Sequence, residues 1–449
     1  MAKEEHCTNK QTLFEKAKAL GIEDLEVYTQ TKETLKIAVY EGTVDSFHTS
    51  RSSGTAVRGI YNGKVGNTYT EESVYEDTDA ILRKVIEQAQ TISSTDLQEF
   101  FPGSTYPILQ SYSPALNEKS VEDIIALLQY MEQTLLAKDP RITKVSHCVY
   151  SQADLAIEIT NSLGLDVSRK LNYGALVVEC IVNEDEDTQS HYDYLIIRDF
   201  DTLDVDAFLT QVSKEAIAKL HAGKVPSSSY PTILKNTVMS DLLDALTSLF
   251  SADLVQKGIS VLKDKLDTVI FDEKLTMIED PHLAKGYAST PFDDEGVPTL
   301  PKTVVDQGKL LTYFHNLKTA KKDGVKPTGN GFKASYASTV GVSPTNFYVQ
   351  PSATTLEDMI AGIDRGILIT EVAGLHAGLN AVTTDFSLQA SGFFIEHGAI
   401  IRPINLITVA GNFMTMMKQI DAIGNDLKFE SSGIGSPSVL FHSLQISGE

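Results

Sequence analysis

In "SSGTAVRGIYNGKVGNTYTE" the pair Asn62-Gly63 sits between two runs of alternating apolar and polar residues. Both residues tolerate φ > 0, which a two-residue hairpin turn demands, so the flanking runs are predicted to pair as antiparallel strands. Helical patterns surround this hairpin. Lys10 to Leu20 reads as a short helix stopped by Gly21, and Leu35, Ile37 and Val39 alternate as a strand. Glu76 to Ile92 places Ile81, Val85, Ile86 and Ala89 on one helical face. A proline-marked connector, "FPGSTYPILQSYSP", follows.

The pattern then recurs. Ser120 is placed to cap a helix carrying Ile124, Ile125, Leu127, Leu128 and Met131 and ended by Pro140. Strands are expected at Lys144–Tyr150, Asp154–Thr160 and Ala175–Val182, and a helix from Asp206 to Leu220. Two such rounds suggest internal pseudo-symmetry. "HAGKVPSSSYPTILKN" has a linker's glycine, prolines and serines, which puts a boundary near Gly223. Beyond it one helix gives way to strands dense in Gly, Thr, Asn and Pro, the chemistry of tight antiparallel turns. The expected fold is α+β in two domains. Residues 1–222 form a helix/β-hairpin domain and residues 223–449 a mostly antiparallel β domain.

Length supports the division, since 449 residues exceed one ordinary core. The net charge of −22 disfavours nucleic acid, whose binding rests on Lys and Arg neutralising phosphates. The densest basic run, Lys318 to Lys322, is followed directly by Asp323. No apolar run approaches the ~20 residues of a membrane span. The charged N-terminus does not read as a secretory signal. Cys7, Cys148 and Cys180 make no disulfide framework, which fits a reducing cytoplasm.

The richest stretch for chemistry is "LHAGLNAVTTDFSLQASGFFIEH", residues 375–397. His376 and His397 are too far apart for a close zinc-ligand pair, and alternation predicts Phe386, Leu388, Phe393 and Ile395 facing a core. "GLHAGLN" also reads as a backbone nest for an anion. "PFDDEG" (residues 291–296) has the carboxylates of a calcium loop without the spacing, so a solvated turn is expected. His315 is expected in a strand as a satisfied, partly buried histidine, and "TGNG" (residues 328–331) as a turn. Asp241, Asp244 and Asp253 read as exposed acids rather than a cation site.

Three segments carry a family resemblance. "GLHAGLNAVTTDFSLQASGFFIEHGAIIRPINLITVAGNFMTMMKQIDAIGNDLKF" resembles the C-terminal signature of the TldD/PmbA family, in its TldE (PmbA) branch. "STPFDDEGVPTLPKTVVDQGKLLTYFHNLKTAKKDGVKPTGNG" is similar to its middle segment, and the hairpin quoted above to its N-terminal one. The resemblance implies a cytoplasmic subunit that pairs with a relative in a metallopeptidase cutting peptides, unfolded chains or leader segments. In the TldD branch an H-E-x-x-x-H helix and a C-terminal cysteine bind catalytic zinc. The matching helix here is "VMSDLLDALTSLFSADLVQKGISVL", which puts Leu243 and Ser248 at the histidine positions and Asp244 at the glutamate. The cysteine position falls near Ile423-Gly424, and no cysteine follows Cys180. Leu243 offers zinc no donor atom.

The resemblance therefore implies a chain without catalytic residues or metal, working beside a zinc-bearing TldD-like subunit (a heterodimer) or a second copy of itself. Gly374, His376, Gly378, Asn380 and Asp385 are its candidate peptide-contact or architectural residues. Gly374, Gly378 and Asn380 are chosen as residues that tolerate φ > 0 or close backbone approach. One alternative is a peptide-binding or regulatory homodimer without peptidase activity. Another is a self-sufficient hydrolase rebuilt around His376, Asp385 and His397.

Overall fold

The computed structural model describes residues 2–93 and 99–449, with side chains from Asn9 onward, so the Cys7 side chain lies outside the described residues. Asn62 and Gly63 take φ of 49° and 70°, the predicted hairpin turn. It joins β2 (Thr43–Tyr61) to β3 (Lys64–Thr70) in a six-stranded sheet with β1 (Asp24–Tyr40), β4 (Ile142–Asn161), β5 (Asp166–Glu184) and β6 (Asp187–Ile197). The order is β3-β2-β1-β4-β5-β6, antiparallel throughout. It reads the same outward from the β1/β4 seam, as two recurring rounds of helix, three strands and helix would give.

Helices cover one face of this sheet. Ser120 caps Val121–Lys138 by accepting from the Asp123 amide. Ile124, Leu128, Met131 and Leu135 of this helix pack with Ile37, Val39, Cys148, Tyr150, Leu176 and Cys180. Burial pushes the Cys148 thiol up to about 12 and the Cys180 thiol up to about 11, so both behave as small apolar groups. The N-terminal helix spans Ala2–Ala19, longer than expected.

Two strand expectations need correction. Lys144–Tyr150 and Asp154–Thr160 are one continuous strand, because Ser151-Gln152-Ala153 keeps pairing with Lys36, Leu35 and Thr34 of β1 and with Ala175, Gly174 and Tyr173 of β5. Polar Gln152 is buried there, yet it accepts from the Tyr150 hydroxyl and donates to Asn117 and Asp154. Its amide is satisfied by side chains, so no turn is needed to wet it. The linker near Gly223 is also less free than expected. Gly223 donates to Pro403 O and accepts from Asn405 N, Val225 is buried, and Ser228–Leu234 is already a strand.

The first sheet draws only on residues 24–197, and the remaining sheets only on residues from 228 onward. In the C-terminal half, Val439–Ser447 pairs with Ser228–Leu234 along one edge. Its other edge pairs with Ile420–Ile423 and with Ala399–Asn412. Arg365–Ala373 and Asp385–Glu396 complete the circuit, so the strands close on themselves around Ile367, Ile369, Phe386, Leu388, Ile407, Val409 and Phe441. Pairing is mostly antiparallel, with Arg365–Ala373 parallel to Ser228–Leu234. Among the described residues, no helix is long and apolar enough to cross a membrane.

Candidate functional site

Strand Asp385–Glu396 separates the candidate residues of the 375–397 stretch. At its start, Gly374 (φ 85°) leads into a one-turn helix, Leu375–Gly378. Ala377 and Gly378 donate to Gly374 O, Leu379 to Leu375 O, and Asn380 to Asp385 O. The amides from Ala377 to Asn380 are thus spent internally and are not free to bind an anion. Gly374 does use φ > 0, but Gly378 and Asn380 do not; Thr384 takes it instead, at 64°. Gly378 is needed for close approach, since a Cβ there would lie 2.3 Å from Ser387 O. Asn380 works through its side chain, whose Oδ1 accepts from the amides of Val382 and Thr383 at 2.9 and 3.1 Å.

His376 is exposed. Asp385 accepts from Asn412 Nδ2 at 2.9 Å, and this bond with that of Thr383 holds its carboxyl below the usual range. His397 sits beyond the other end of the strand, about 40 Å along the chain at ~3.3 Å per residue, with Nδ1 2.7 Å from Asp364 Oδ1. The rebuilt hydrolytic site around His376, Asp385 and His397 therefore does not assemble. Phe386 and Leu388 enter the main core as expected, with Ala390 and Phe394. Phe393 and Ile395 face the other way, into a cluster with Ile233, Met359, Ile363 and Leu368. The sheet is covered on both faces at that end, so both parities are apolar. Gly378→Val is expected to cost more than about 2 kcal/mol in chemical denaturation, because nothing can move out of the way of a backbone oxygen. His376→Ala should stay within about 0.5 kcal/mol of the parent.

Of the helix positions matched to a zinc site, Leu243 lies in the core. The expected continuous helix is broken into Asn236–Leu246, a 3₁₀ turn Thr247–Phe250 and Ala252–Gln256. Leu243 is 1% exposed and shares its apolar cluster with Leu242, Leu246, Phe250 and Ile423. Asp244 is exposed, and Ser248 is half-buried in the 3₁₀ turn. A Cβ at Gly424 would lie 2.4 Å from Asp426 Oδ1 and 3.0 Å from Ser438 O. This donor set does not fit zinc, which needs three good N, S or O ligands at an open catalytic site. Among the described residues no group of three His, Cys, Asp or Glu could hold a metal ion. A cleft of about 300 Å³ beside Ile423 is lined by Lys274, Gln350, Ser352 and Asp421, with neither histidine nor cysteine.

"PFDDEG" is the largest departure from expectation, since Asp293, Asp294 and Glu295 are all buried. The segment docks against the sheet face opposite the helices. Asp293 accepts from the amides of Glu295, Val297 and Gly331. Asp294 accepts from Arg169 Nη2 at 2.7 Å and from the Lys333 amide at 2.8 Å. Glu295 accepts from the Leu317 amide at 2.7 Å and lies 3.6 Å from Arg58 Nη1. Arg58 Nε and Nη2 also donate to Glu26 Oε1 at 2.9 and 2.6 Å. Burial, then the Glu295 charge, pushes the Asp293 carboxyl well above its ordinary range. The Lys333 ammonium lies 4.3 Å above the Tyr28 ring, and burial pushes it down to about 8.

Amides and guanidinium groups occupy this loop, where calcium would need oxygen donors. Sequence reasoning missed Glu26, Arg58, Arg169 and Lys333. The available signal was a lone arginine inside the apolar run "AVRGI". His315 is likewise corrected. It precedes the Asn316 capping box instead of lying in a strand, and its buried Nδ1 has no hydrogen-bond partner. "TGNG" does turn at Gly329 (φ 73°), but Asn330 is buried and donates to the buried Glu279.

A closed β-structure joined to a helix-backed sheet, with family-matched positions across both, defines a metallopeptidase-like chain. Profiles of the PmbA/TldA metallopeptidase match domain 1 at residues 25–93, the central domain at 114–222 and the C-terminal domain at 227–448. The chain belongs to the TldD/PmbA family. It is 30% identical to metalloprotease PmbA of Escherichia coli O157:H7 over 76% of this chain and 73% of that one. A Thermotoga maritima structure described as a DNA gyrase modulator superposes with TM-score 0.91 at 31% identity, covering 98% of this chain and 99% of the other. TldE from Thermococcus kodakarensis shares the fold at TM-score 0.88 and 20% identity, covering 98% of this chain and 100% of that one.

Proposed function

We propose that this chain is the metal-free, TldE-like subunit of a TldD/TldE-type metallopeptidase that cuts peptides and unfolded or leader segments in the cytoplasm. Its partner is a zinc-bearing TldD-like subunit, which supplies the only catalytic metal. The chain itself closes the chamber, presents a β-edge to extended substrate and restricts access to unfolded chains. The two domains, meeting near Gly223, are the rigid parts of that enclosure. One observation carries the reading. Leu243, at the position the resemblance gives to a zinc histidine, is packed in the core, and a buried leucine can neither bind nor polarise anything.

Elemental analysis after mild dialysis tests the reading. The purified chain should carry no stoichiometric transition metal. A value near one zinc per chain would overturn it.

A further inference from the structure

The first sheet has four outer stretches where a strand lacks a full neighbour: the free sides of the end strands β3 and β6, the Asp166–Tyr173 end of β5 and the Thr43–Gly54 stretch of β2. Along β6, Lys219 Nζ donates to Ser190 O, and Asp193 Oδ1 accepts the Tyr194 amide. Of the Asp166–Tyr173 end of β5, which β6 does not reach, the part from Lys170 to Asn172 is bonded by the chain near Ser111. There the Asn172 amide donates to Ser111 O, and Ser111 Oγ donates to Lys170 O at 2.8 Å. Asn172 Oδ1 also accepts the Ser113 amide at 2.7 Å.

The pseudo-equivalent stretch of β2 is bare. β3 pairs only with Thr55–Tyr61, so Thr43–Gly54 has β1 on one side and, among the described residues, no strand on the other. From Thr43 to Ser53 every residue is exposed except half-buried Ser46, including Val44 at 43% and Phe47 at 47%. The stretch spans about 40 Å at ~3.3 Å per residue. Unpaired strand edges template another chain, and proteins normally blunt them with proline, lysine or a cover. Proline and lysine are absent here, and the one β-bulge lies at Asp45 near the start, leaving Ser46 to Gly54 in regular register with β1. The edge holds one acid, Asp45, and one base, Arg51, already paired with Glu33 at 3.3 Å. It ends at Gly54, where a Cβ would collide with the Tyr336 ring at 2.4 Å, at the meeting of the two halves.

We propose that the Thr43–Gly54 edge of β2 binds an extended basic polypeptide segment as an added strand. The internal segment at Ser111 shows the kind of occupant that fits the twin edge. Main-chain bonding along a near-neutral edge tolerates varied sequences. Charge selects among occupants: with 60 acids against 38 bases, the chain repels a second copy of itself and attracts a basic segment. The proposal rests on the reading of this chain as a peptide-handling subunit and names where the peptide lies.

The test is amide hydrogen exchange on the full chain, with and without an unstructured, lysine-containing synthetic peptide of about twelve residues. Alternate amides between Val44 and Ser53 should gain protection. Methylating every second backbone nitrogen of the peptide, on the bonding side, should weaken binding by roughly tenfold or more. Protection confined to other regions, equal binding by the methylated peptide, or an edge already covered by a second copy in sedimentation would each overturn the proposal. The peptidase assignment is scored separately. Edge protection together with an inactive reconstituted complex would overturn that assignment and leave this one standing.

Discussion

Arg58→Met should lower the unfolding free energy by about 3–5 kcal/mol, because it strands buried carboxylates without their counter-charge. Arg58 is 8% exposed and is the shared cation of Glu26 and Glu295, which are 1% and 4% exposed. Methionine keeps much of the volume and the contact with Phe100, over which the guanidinium stacks at 5.3 Å, so the loss reports charge more than packing. Against a total stability of about 5–15 kcal/mol, such a change is visible in any urea titration. Adding Glu26→Gln and Glu295→Gln to Arg58→Met should recover a large part of it, since neither position then holds a carboxylate without its counter-charge. A loss under about 1 kcal/mol for the single variant would mean that water reaches the cluster.

That cluster also shows where sequence reading stops. Local signals were legible: Asn62-Gly63 turned as expected, Ser120 capped its helix, and Phe386 and Leu388 alternated into a core. Each depends on residues within a few positions of one another. Asp293 to Glu295 looked like a solvated turn because three adjacent acids carry no information about distant cations. Arg58 and Arg169 arrive from strands far away in sequence, and only the assembled sheet brings them together. The break expected between Tyr150 and Asp154 has a similar cause, since buried Gln152 finds its partners in Asn117 and Asp154 and the strand runs on through it. For the candidate site, Leu243 was legible as a non-ligand by chemistry alone, and the fold adds that it is buried. The free edge of β2 was not legible, because alternation gives a strand's faces and says nothing about its neighbours.

The second large effect is on activity. Peptide hydrolysis at neutral pH needs an activated nucleophile and stabilisation of the developing oxyanion, and a zinc ion supplies both. In this chain the family-matched positions hold Leu243, exposed Asp244 and half-buried Ser248, while Cys148 and Cys180 are buried thiols with raised pKa. Mixing with a zinc-bearing TldD-like subunit should therefore take the rate from background to full activity. Asp244→Asn should leave the rate of that mixture nearly unchanged, because Leu243 and Ser248, at the histidine positions beside it, do not make a zinc site.

The most direct measurement is cleavage of an unfolded peptide by the isolated chain, by the TldD-like subunit and by their mixture, each with and without a chelator. The account predicts no cleavage by this chain alone, cleavage by the mixture, and loss of that cleavage on chelation. Chelator-resistant cleavage by the isolated chain, or a large loss of rate from Asp244→Asn with assembly intact, would contradict it.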